Sequence, residues 1–260
     1  MHRIGPVECK IYKLRSEHPL IMPQIDPDKH SIESANAWFK NIQNLGLSHI
    51  VLGGSIVERN QMQEFLDIAI KDFDLTVVSY LTNSSISTLK GLSGKTAVYW
   101  MQVPTSPNTF YGWDGLIAMS LNMEKNNFEP IPTLYAFDDR GSIGTSNWVT
   151  RAIPIPREKP EVSLTIAKAA DFFGVRFYIM AGGSGSVTPP PSKHVDLLSK
   201  NTSMFIIPTS GINSPTHVEE LLNAGADALH IGNCLEQSRG FKILEEMVKI
   251  SNKHPGKDFI

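Results

Sequence analysis

Eight short runs of strand-forming residues recur along the chain, and several are nearly continuous in apolar side chains. A strand of that kind is buried on both faces, the condition of a parallel sheet covered by helices. The runs are LIMPQI (20–25), HIVLGG (49–54), LTVVSYL (75–81), TAVYWMQV (96–103), IPTLYAF (131–137), RFYIMA (176–181), SMFIIP (203–208) and ALHIGN (228–233). Helical patterns lie between them. SIESANAWFKNIQNLG opens on a serine able to cap and ends at Gly46; VSLTIAKAADFFG stops at Gly174. SPTHVEELLNAG places Pro215 just after Ser214 and ends at Gly225. The alternation predicts an α/β fold, a (β/α)8 TIM barrel, with a doubly wound open sheet as the alternative. Residues 82–95 are few and rich in Ser, Thr and Gly, so the third helix is expected to be reduced. The connection 104–130 is long and aromatic. With no repeat, low-complexity tract or linker, residues 1–260 read as a single domain.

Composition narrows the class. At 41% hydrophobic the chain can bury a full core, and a formal net charge of −2 argues against a nucleic-acid partner, which would call for a basic surface. Cys9 and Cys234 are the only cysteines, so neither a disulfide framework nor a cysteine-based zinc cluster is expected. No apolar stretch approaches the ~20 residues of a membrane span. The opening MHRIGPVECKIYKLR lacks the apolar core of a secretory signal. A soluble, cytoplasmic protein is the expectation.

Three consecutive late strands end in small hydrogen-bonding residues: Gly182, Gly183, Ser184 and Gly185 after RFYIMA, Thr209-Ser210-Gly211 after SMFIIP, and Gly232-Asn233 at the end of ALHIGN. Glycine lets backbone N–H groups approach an anion, and loops after the last strands of a barrel commonly hold phosphate. The same glycines also suit tight strand-to-helix turns. Asp26, straight after the first run, fits a Mg²⁺ site completed by water and phosphate oxygens, and Ser55 could add a hydroxyl; spacing alone leaves Asp26 equally readable as a cap before Pro27. His49 and His230 lie within strand patterns and read as core residues, while His30, His194 and His217 show no zinc spacing. Trp100, Phe110, Tyr111 and Trp113, among several methionines, suit either an apolar ligand groove or ordinary packing.

With those residues in place, the chain resembles the geranylgeranylglyceryl phosphate synthase family of (β/α)8 prenyltransferases, including its bacterial heptaprenyl members. LIMPQIDPDKHS is similar to the family's first strand and Asp-Pro-Asp/Asn-Lys motif, and HIVLGGS to its Ile-Gly-Gly-Ser/Thr motif. RAIPIPREKPEVSLTIAKAADFFGVRFYIMAGGSGS and TSGINSPTHVEELLNAGADALHIGN resemble its later phosphate-binding turns. The resemblance implies Mg²⁺ at Asp26 and Ser55, with Asp26 and Tyr178 in catalytic roles. It implies acceptor-phosphate contacts from Tyr178, Gly183, Ser184, Gly185, Ser210, Gly211, Gly232 and Asn233. It further implies that a polyprenyl diphosphate is joined to the hydroxyl of sn-glycerol 1-phosphate, giving an ether-lipid precursor. Transient contact with a membrane surface and a homo-oligomer are compatible with that activity.

The chain departs from the family in three places. The family's Tyr-x-Glu-x-Gly-Ser-Gly loop carries a carboxylate; here Met180 takes its slot and the loop is one residue longer. The Gly-Gly-Gly-Ile-Arg turn becomes Thr-Ser-Gly-Ile-Asn, and the 104–130 segment diverges, with FYGW where the prenyl chain is expected. Methionine cannot take a proton. Losing an acidic residue suits a carboxylate-bearing acceptor such as 3-phosphoglycerate, used by a branch resembling moenomycin-type enzymes, and Asp138 and Asp139 are candidates for a relocated carboxylate. Two other readings compete. A sugar-phosphate isomerase or aldolase would need a base or Schiff-base lysine at a strand end, where only Lys29 comes near; a barrel without catalysis would bind phosphate alone.

Overall fold

A parallel strand can pair on both edges only if the sheet either keeps extending or closes on itself, and here it closes. The computed structural model describes residues 4–54, 57–80, 88–141 and 143–259. The strands are β1 (Leu20–Ile25), β2 (His49–Leu52), β3 (Thr76–Tyr80), β4 (Thr96–Gln102), β5 (Glu129–Phe137), β6 (Phe177–Ala181), β7 (Phe205–Thr209) and β8 (Ala228–Ile231). They pair in sequence order, all parallel, and β8 returns to β1 through Leu20↔Ala228 to Pro23↔Ile231. This is a (β/α)8 TIM barrel, as expected.

The helices are α1 (Pro6–Arg15), α2 (Ile32–Asn44), α3 (Arg59–Lys71), α4 (Trp113–Lys125), α5 (Thr145–Thr150), α6 (Pro160–Phe172), α7 (Ser192–Asn201), α8 (Pro215–Asn223) and α9 (Gly240–Ser251). Their ends follow local chemistry. Ser31 caps α2 by accepting from the Ser34 amide at 3.2 Å, and Ser214 caps α8 by accepting from the His217 amide at 3.3 Å. Gly46, Gly174 and Gly225 stop α2, α6 and α8 at φ of +76°, +78° and +96°, values that glycine adopts without a Cβ clash. Residues 88–95, the described part of the β3–β4 connection, hold no α-helix.

Helix α1 has no counterpart in the sequence reading. It packs across the N-terminal mouth of the barrel, where the Tyr12 ring lies 5.7 Å from Phe177 and 5.8 Å from Phe205, the first residues of β6 and β7. Glu129, at the start of β5, accepts from the Val7 and Glu8 amides at 2.7 and 2.9 Å, satisfying α1's free donors. Glu8 pairs with Arg176, which fixes the helix to β6. That end is packed with aromatic rings, so any cavity must open at the other.

Side chains alternate between the barrel interior and the helix layer. Two histidines are buried in strands and neutral in the resting protein: His49 bonds the Ile21 carbonyl at 3.1 Å, and burial lowers it to about 4; burial lowers His230 to about 3. Above the unfolded value near 6.5 both states are neutral and nothing is lost. As the pH falls below it, the unfolded chain takes up protons that the folded chain refuses, so stability drops until the folded values are reached. The two together should remove roughly 4 kcal/mol between pH 7 and pH 5. Urea unfolding at pH 7, 6 and 5 checks this, and an unchanged midpoint at pH 5 would refute it.

Candidate active site

The C-terminal ends of the strands surround one cavity of about 470 Å³. On one side stand Gln24, Asp26, Asp28 and Lys29 from β1 and the turn after it. Beside them, on the strand next to β1, are Gly232 and Asn233 after β8, followed around the rim by Ser210 and Gly211 after β7 and Ser184 and Gly185 after β6. Met101, Val103, Tyr111, Tyr135, Phe137 and Val149 form an apolar wall. Carboxylates, anion-compatible turns and an apolar wall thus share a single space.

The acidic side is built from one short loop. Asp26 accepts from Gln24 Nε2 at 2.9 Å through Oδ1 and faces Lys29 Nζ at 3.0 Å through Oδ2. Lys29 also meets Glu236 Oε1 at 2.8 Å and Asn233 Oδ1 at 3.5 Å, tying the β1 turn to the β8 turn. Burial alone would lower the Lys29 ammonium, but its bond to Glu236 and the charge of Asp26 outweigh it and hold the group above its ordinary value. A lysine held charged is a poor Schiff-base nucleophile, which removes the aldolase reading's only candidate. Burial and then the neighbouring Asp26 raise the Asp28 carboxyl.

Among the described residues, no group of three or more His, Cys, Asp or Glu side chains gathers as a transition-metal site would require. The donor set is instead two adjacent carboxylates, already attended by an ammonium. A Cβ at Gly53 would lie 3.0 Å from Asp26 Oδ1, and one at Gly54 would lie 3.2 Å from Asp28 Oδ1, so the β2 turn leaves room beside both. Few carboxylates in an open oxygen-lined corner fit Mg²⁺, which keeps waters and shares substrate phosphates. Ser55, the other expected ligand, lies outside the described residues.

The turn after β7 is held in an unusual backbone state. Ser210 and Gly211 both have positive φ, +67° and +69°. At Gly211 a Cβ would fall 2.0 Å from the Thr188 carbonyl oxygen, so glycine is required. At Ser210 the conformation costs about 1 kcal/mol for a residue with a side chain. Arg140 holds the turn: its Nη1 donates to Ser210 O at 2.6 Å and to Thr188 O at 3.2 Å. The guanidinium is neutralised by Asp138, with Nη2 to Oδ1 at 2.8 Å and both side chains essentially without solvent exposure. A Cβ at Gly182 would lie 2.4 Å from Arg140 Cδ, which explains the extra glycine in the β6 loop. One buried ion pair after β5 therefore shapes the turns after β6 and β7.

Several expected site residues are elsewhere. In β5–β6 pairing, Tyr135 and Phe137 stand opposite Ile179 and Ala181, so these and Phe177 face the barrel interior. Tyr178 and Met180 face the helix layer instead. Tyr178 is fully buried beside Ser163 of α6 and does not line the cavity, which corrects its catalytic and phosphate-binding assignments. Met180 is likewise outside the cavity, so the inward positions lacking a carboxylate are Ile179 and Ala181. Gly183 packs under Asn147, where a Cβ would meet Oδ1 at 2.1 Å, and does not line the cavity either. Asp138 is consumed by Arg140, and Asp139 is exposed, accepting from the Gly141 amide at 2.9 Å; neither is a relocated carboxylate.

Of the four aromatics, Tyr111 lines the cavity and Phe110 packs edge-on against it at 5.0 Å. Trp100 is partly buried against the core on the face opposite Tyr99 and Met101, and Trp113 is 67% exposed on α4. The apolar wall comes chiefly from β4, β5 and α5 instead.

Tyr80, which the sequence did not single out, and His230, which it read as a core residue, both line the cavity. The signal was present: each occupies an alternate strand position near a C-terminal end, where inward side chains meet the site. His230 does have its hydrogen bonds satisfied, as a core histidine should, with Tyr80 Oη at 2.6 Å from Nδ1 and Tyr99 Oη at 2.9 Å from Nε2.

No family model matches the chain. Curated relatives do: a geranylgeranylglyceryl phosphate synthase of Pyrococcus abyssi is 30% identical over 240 residues, spanning 92% of this chain and 93% of the relative. This chain belongs to the geranylgeranylglyceryl phosphate synthase family. A Korarchaeum cryptofilum member is 29% identical over 226 residues, 86% of this chain and 91% of its own. Among solved structures, the geranylgeranylglyceryl phosphate synthase of Thermoplasma acidophilum, in complex with its substrate sn-glycerol-1-phosphate, superposes with a TM-score of 0.85. It is 24% identical and covers 96% of this chain and all of its own. The synthase from Thermoplasma volcanium gives a TM-score of 0.84 at 21% identity, covering 96% of this chain and 98% of its own. Geranylgeranylglyceryl phosphate synthases are prenyltransferases, so the chain is an enzyme of that class.

Proposed function

We propose that this protein transfers a polyprenyl group from its diphosphate to the hydroxyl of sn-glycerol 1-phosphate, giving an ether-linked lipid precursor in the cytoplasm. The observation that carries the reading is the single cavity in which the Asp26 corner faces the turns at Ser184–Gly185, Ser210–Gly211 and Gly232–Asn233. Those turns would hold the acceptor phosphate, Asp26 with Asp28 would hold Mg²⁺, and the wall from Met101 to Val149 would receive the prenyl chain. Bound there, Mg²⁺ supplies charge neutralisation for the departing diphosphate. Lys29 adds a fixed positive charge at the same corner, and the turns fix the acceptor so that its hydroxyl attacks locally rather than after a diffusive encounter. An exposed apolar stripe along α4, Trp113, Ile117 and Leu121, supports the membrane-surface contact or homo-oligomer compatible with such a product. No described helix is long and apolar enough to cross a membrane.

A second acceptor is favoured by one observation: among the described residues the cavity's only carboxylates are Asp26 and Asp28 after β1, and the turns after β6, β7 and β8 contribute none. An acceptor with its own carboxylate, 3-phosphoglycerate, would meet no repulsion there. The test is to incubate the protein and Mg²⁺ with prenyl diphosphates of graded length and either acceptor, extract the lipid and weigh it by mass spectrometry. A glycerol phosphate ether is expected; binding of both acceptors without product from any donor would leave a phosphate-binding barrel instead.

A further inference from the structure

Forming an ether from a hydroxyl releases a proton, and the cavity must hold a group to take it. The inward positions of β6, Phe177, Ile179 and Ala181, offer none. Lys29 is engaged in ion pairs with Asp26 at 3.0 Å and Glu236 at 2.8 Å. Cys234 is pushed up to about 11 by burial and stays a thiol. Asp26 and Asp28 sit in the corner assigned to the leaving group.

His230 is different. It is 1% exposed, lines the cavity, and is bonded at both ring nitrogens by phenols from β3 and β4. Tyr99 Oη donates to Met22 Sδ at 3.9 Å, which leaves its oxygen to accept from Nε2–H. The neutral imidazole then has its lone pair on Nδ1, facing the Tyr80 hydroxyl at 2.6 Å. Tyr80 is the last residue of β3 and lines the cavity. It shares the cavity lining with Asp26 of the β1 turn and Thr209 at the end of β7. Its ring is fixed by Tyr99 at 5.5 Å and edge-on by Tyr135 at 5.9 Å.

We propose that Tyr80 accepts the proton of the attacking hydroxyl while passing its own to His230 Nδ1, so that the pair does the work of the missing carboxylate. The inference rests on the prenyl-transfer reading above. The acceptor oxygen bonds to the allylic carbon as that carbon's bond to the diphosphate oxygen breaks, and the electron pair leaves with the diphosphate. The hydroxyl proton moves to Tyr80 Oη and the phenolic proton to Nδ1, leaving neutral Tyr80 and an imidazolium that later returns its proton to solvent. Burial raises the Tyr80 phenol, so it serves as a relay and not as a phenolate. A weak base suffices, because a hydroxyl bonded to a forming allylic cation is strongly acidic. Tyr80 touches the substrate; His230 is a positioning residue acting through it.

The test compares wild type with Tyr80→Phe, which keeps the ring packing, and His230→Gln, which keeps an acceptor for Tyr80 but cannot take its proton. With sn-glycerol 1-phosphate, geranylgeranyl diphosphate and Mg²⁺, kcat should fall about 10²-fold in each while KM for the acceptor and the thermal midpoint hold. Independently, ¹⁵N spectra of the wild-type imidazole should show Nδ1 bare and Nε2 protonated, with the Nδ1 signal moving in Tyr80→Phe. A wild-type kcat in Tyr80→Phe, or a protonated Nδ1, overturns the proposal while leaving prenyl transfer standing. Absence of ether product from wild type with any donor overturns both, and is seen before any variant is made.

Discussion

Asp26→Asn is expected to lower kcat/KM for prenyl transfer by about 10³-fold, the scale of several kcal/mol of lost charge stabilisation at the leaving group. The fold should not notice. Asparagine keeps an oxygen for the 2.9 Å bond from Gln24 Nε2, and Lys29 keeps Glu236 at 2.8 Å, so the loop after β1 retains its anchors. What is lost is a formal charge beside Asp28; burial still raises the Asp28 carboxyl, but the contribution of Asp26 is gone. Calorimetric titration with Mg²⁺ alongside the product assay distinguishes the cause: binding and turnover should fall together. An Asn variant that turns over like wild type would remove the metal role assigned to this corner.

The second large effect lies outside the cavity. Arg140→Met should destabilise the protein by about 4 kcal/mol, because it strands the Asp138 carboxylate in a site with almost no solvent, where losing one partner of a buried pair typically costs 3–5 kcal/mol. For a chain of this length that corresponds to a fall of roughly 10 °C in the thermal midpoint. It also frees the Ser210 and Thr188 carbonyls, and Ser210 then has little to hold it at φ +67°. Acceptor affinity should weaken in the same variant. The double variant Asp138→Asn with Arg140→Met carries no stranded charge and should recover much of the midpoint but not the affinity, since the turn is still unheld. Recovery of both would show that the ion pair serves stability alone. Calorimetric scans and phosphate titrations of the single and double variants decide it.

Much of the site was legible as pattern. The Gly-rich breaks after β6, β7 and β8 do line one cavity with Asp26, because residues at strand ends have nowhere else to go once the sheet closes. Ser184, Gly185, Ser210, Gly211, Gly232 and Asn233 follow from that alone. Tyr178 and Met180 went wrong for a reason of parity. Aligning a motif by its tyrosine assumes that the residue points inward, and in a strand of period two that one assumption assigns a face to every residue after it. The register Tyr135↔Ile179 and Phe137↔Ala181 decides the matter, and register is a property of two strands rather than one. Asp138 failed differently: as a carboxylate after a strand it looked available, and only the folded chain brings Arg140 back against it.

Local order in this protein was therefore written in the chain. Apolar runs bounded by glycine, with serine or proline opening several helices, fix eight strands and their connections, because backbone sterics and burial act over a few neighbours. Closure of the barrel decided the rest: α1 sealing one mouth, Arg140 shaping two distant turns, and His230 of β8 meeting Tyr80 of β3 and Tyr99 of β4. Those contacts join residues 70 to 165 positions apart in sequence. No short-range propensity carries information about such pairs; the geometry of a closed sheet alone brings them within hydrogen-bonding reach.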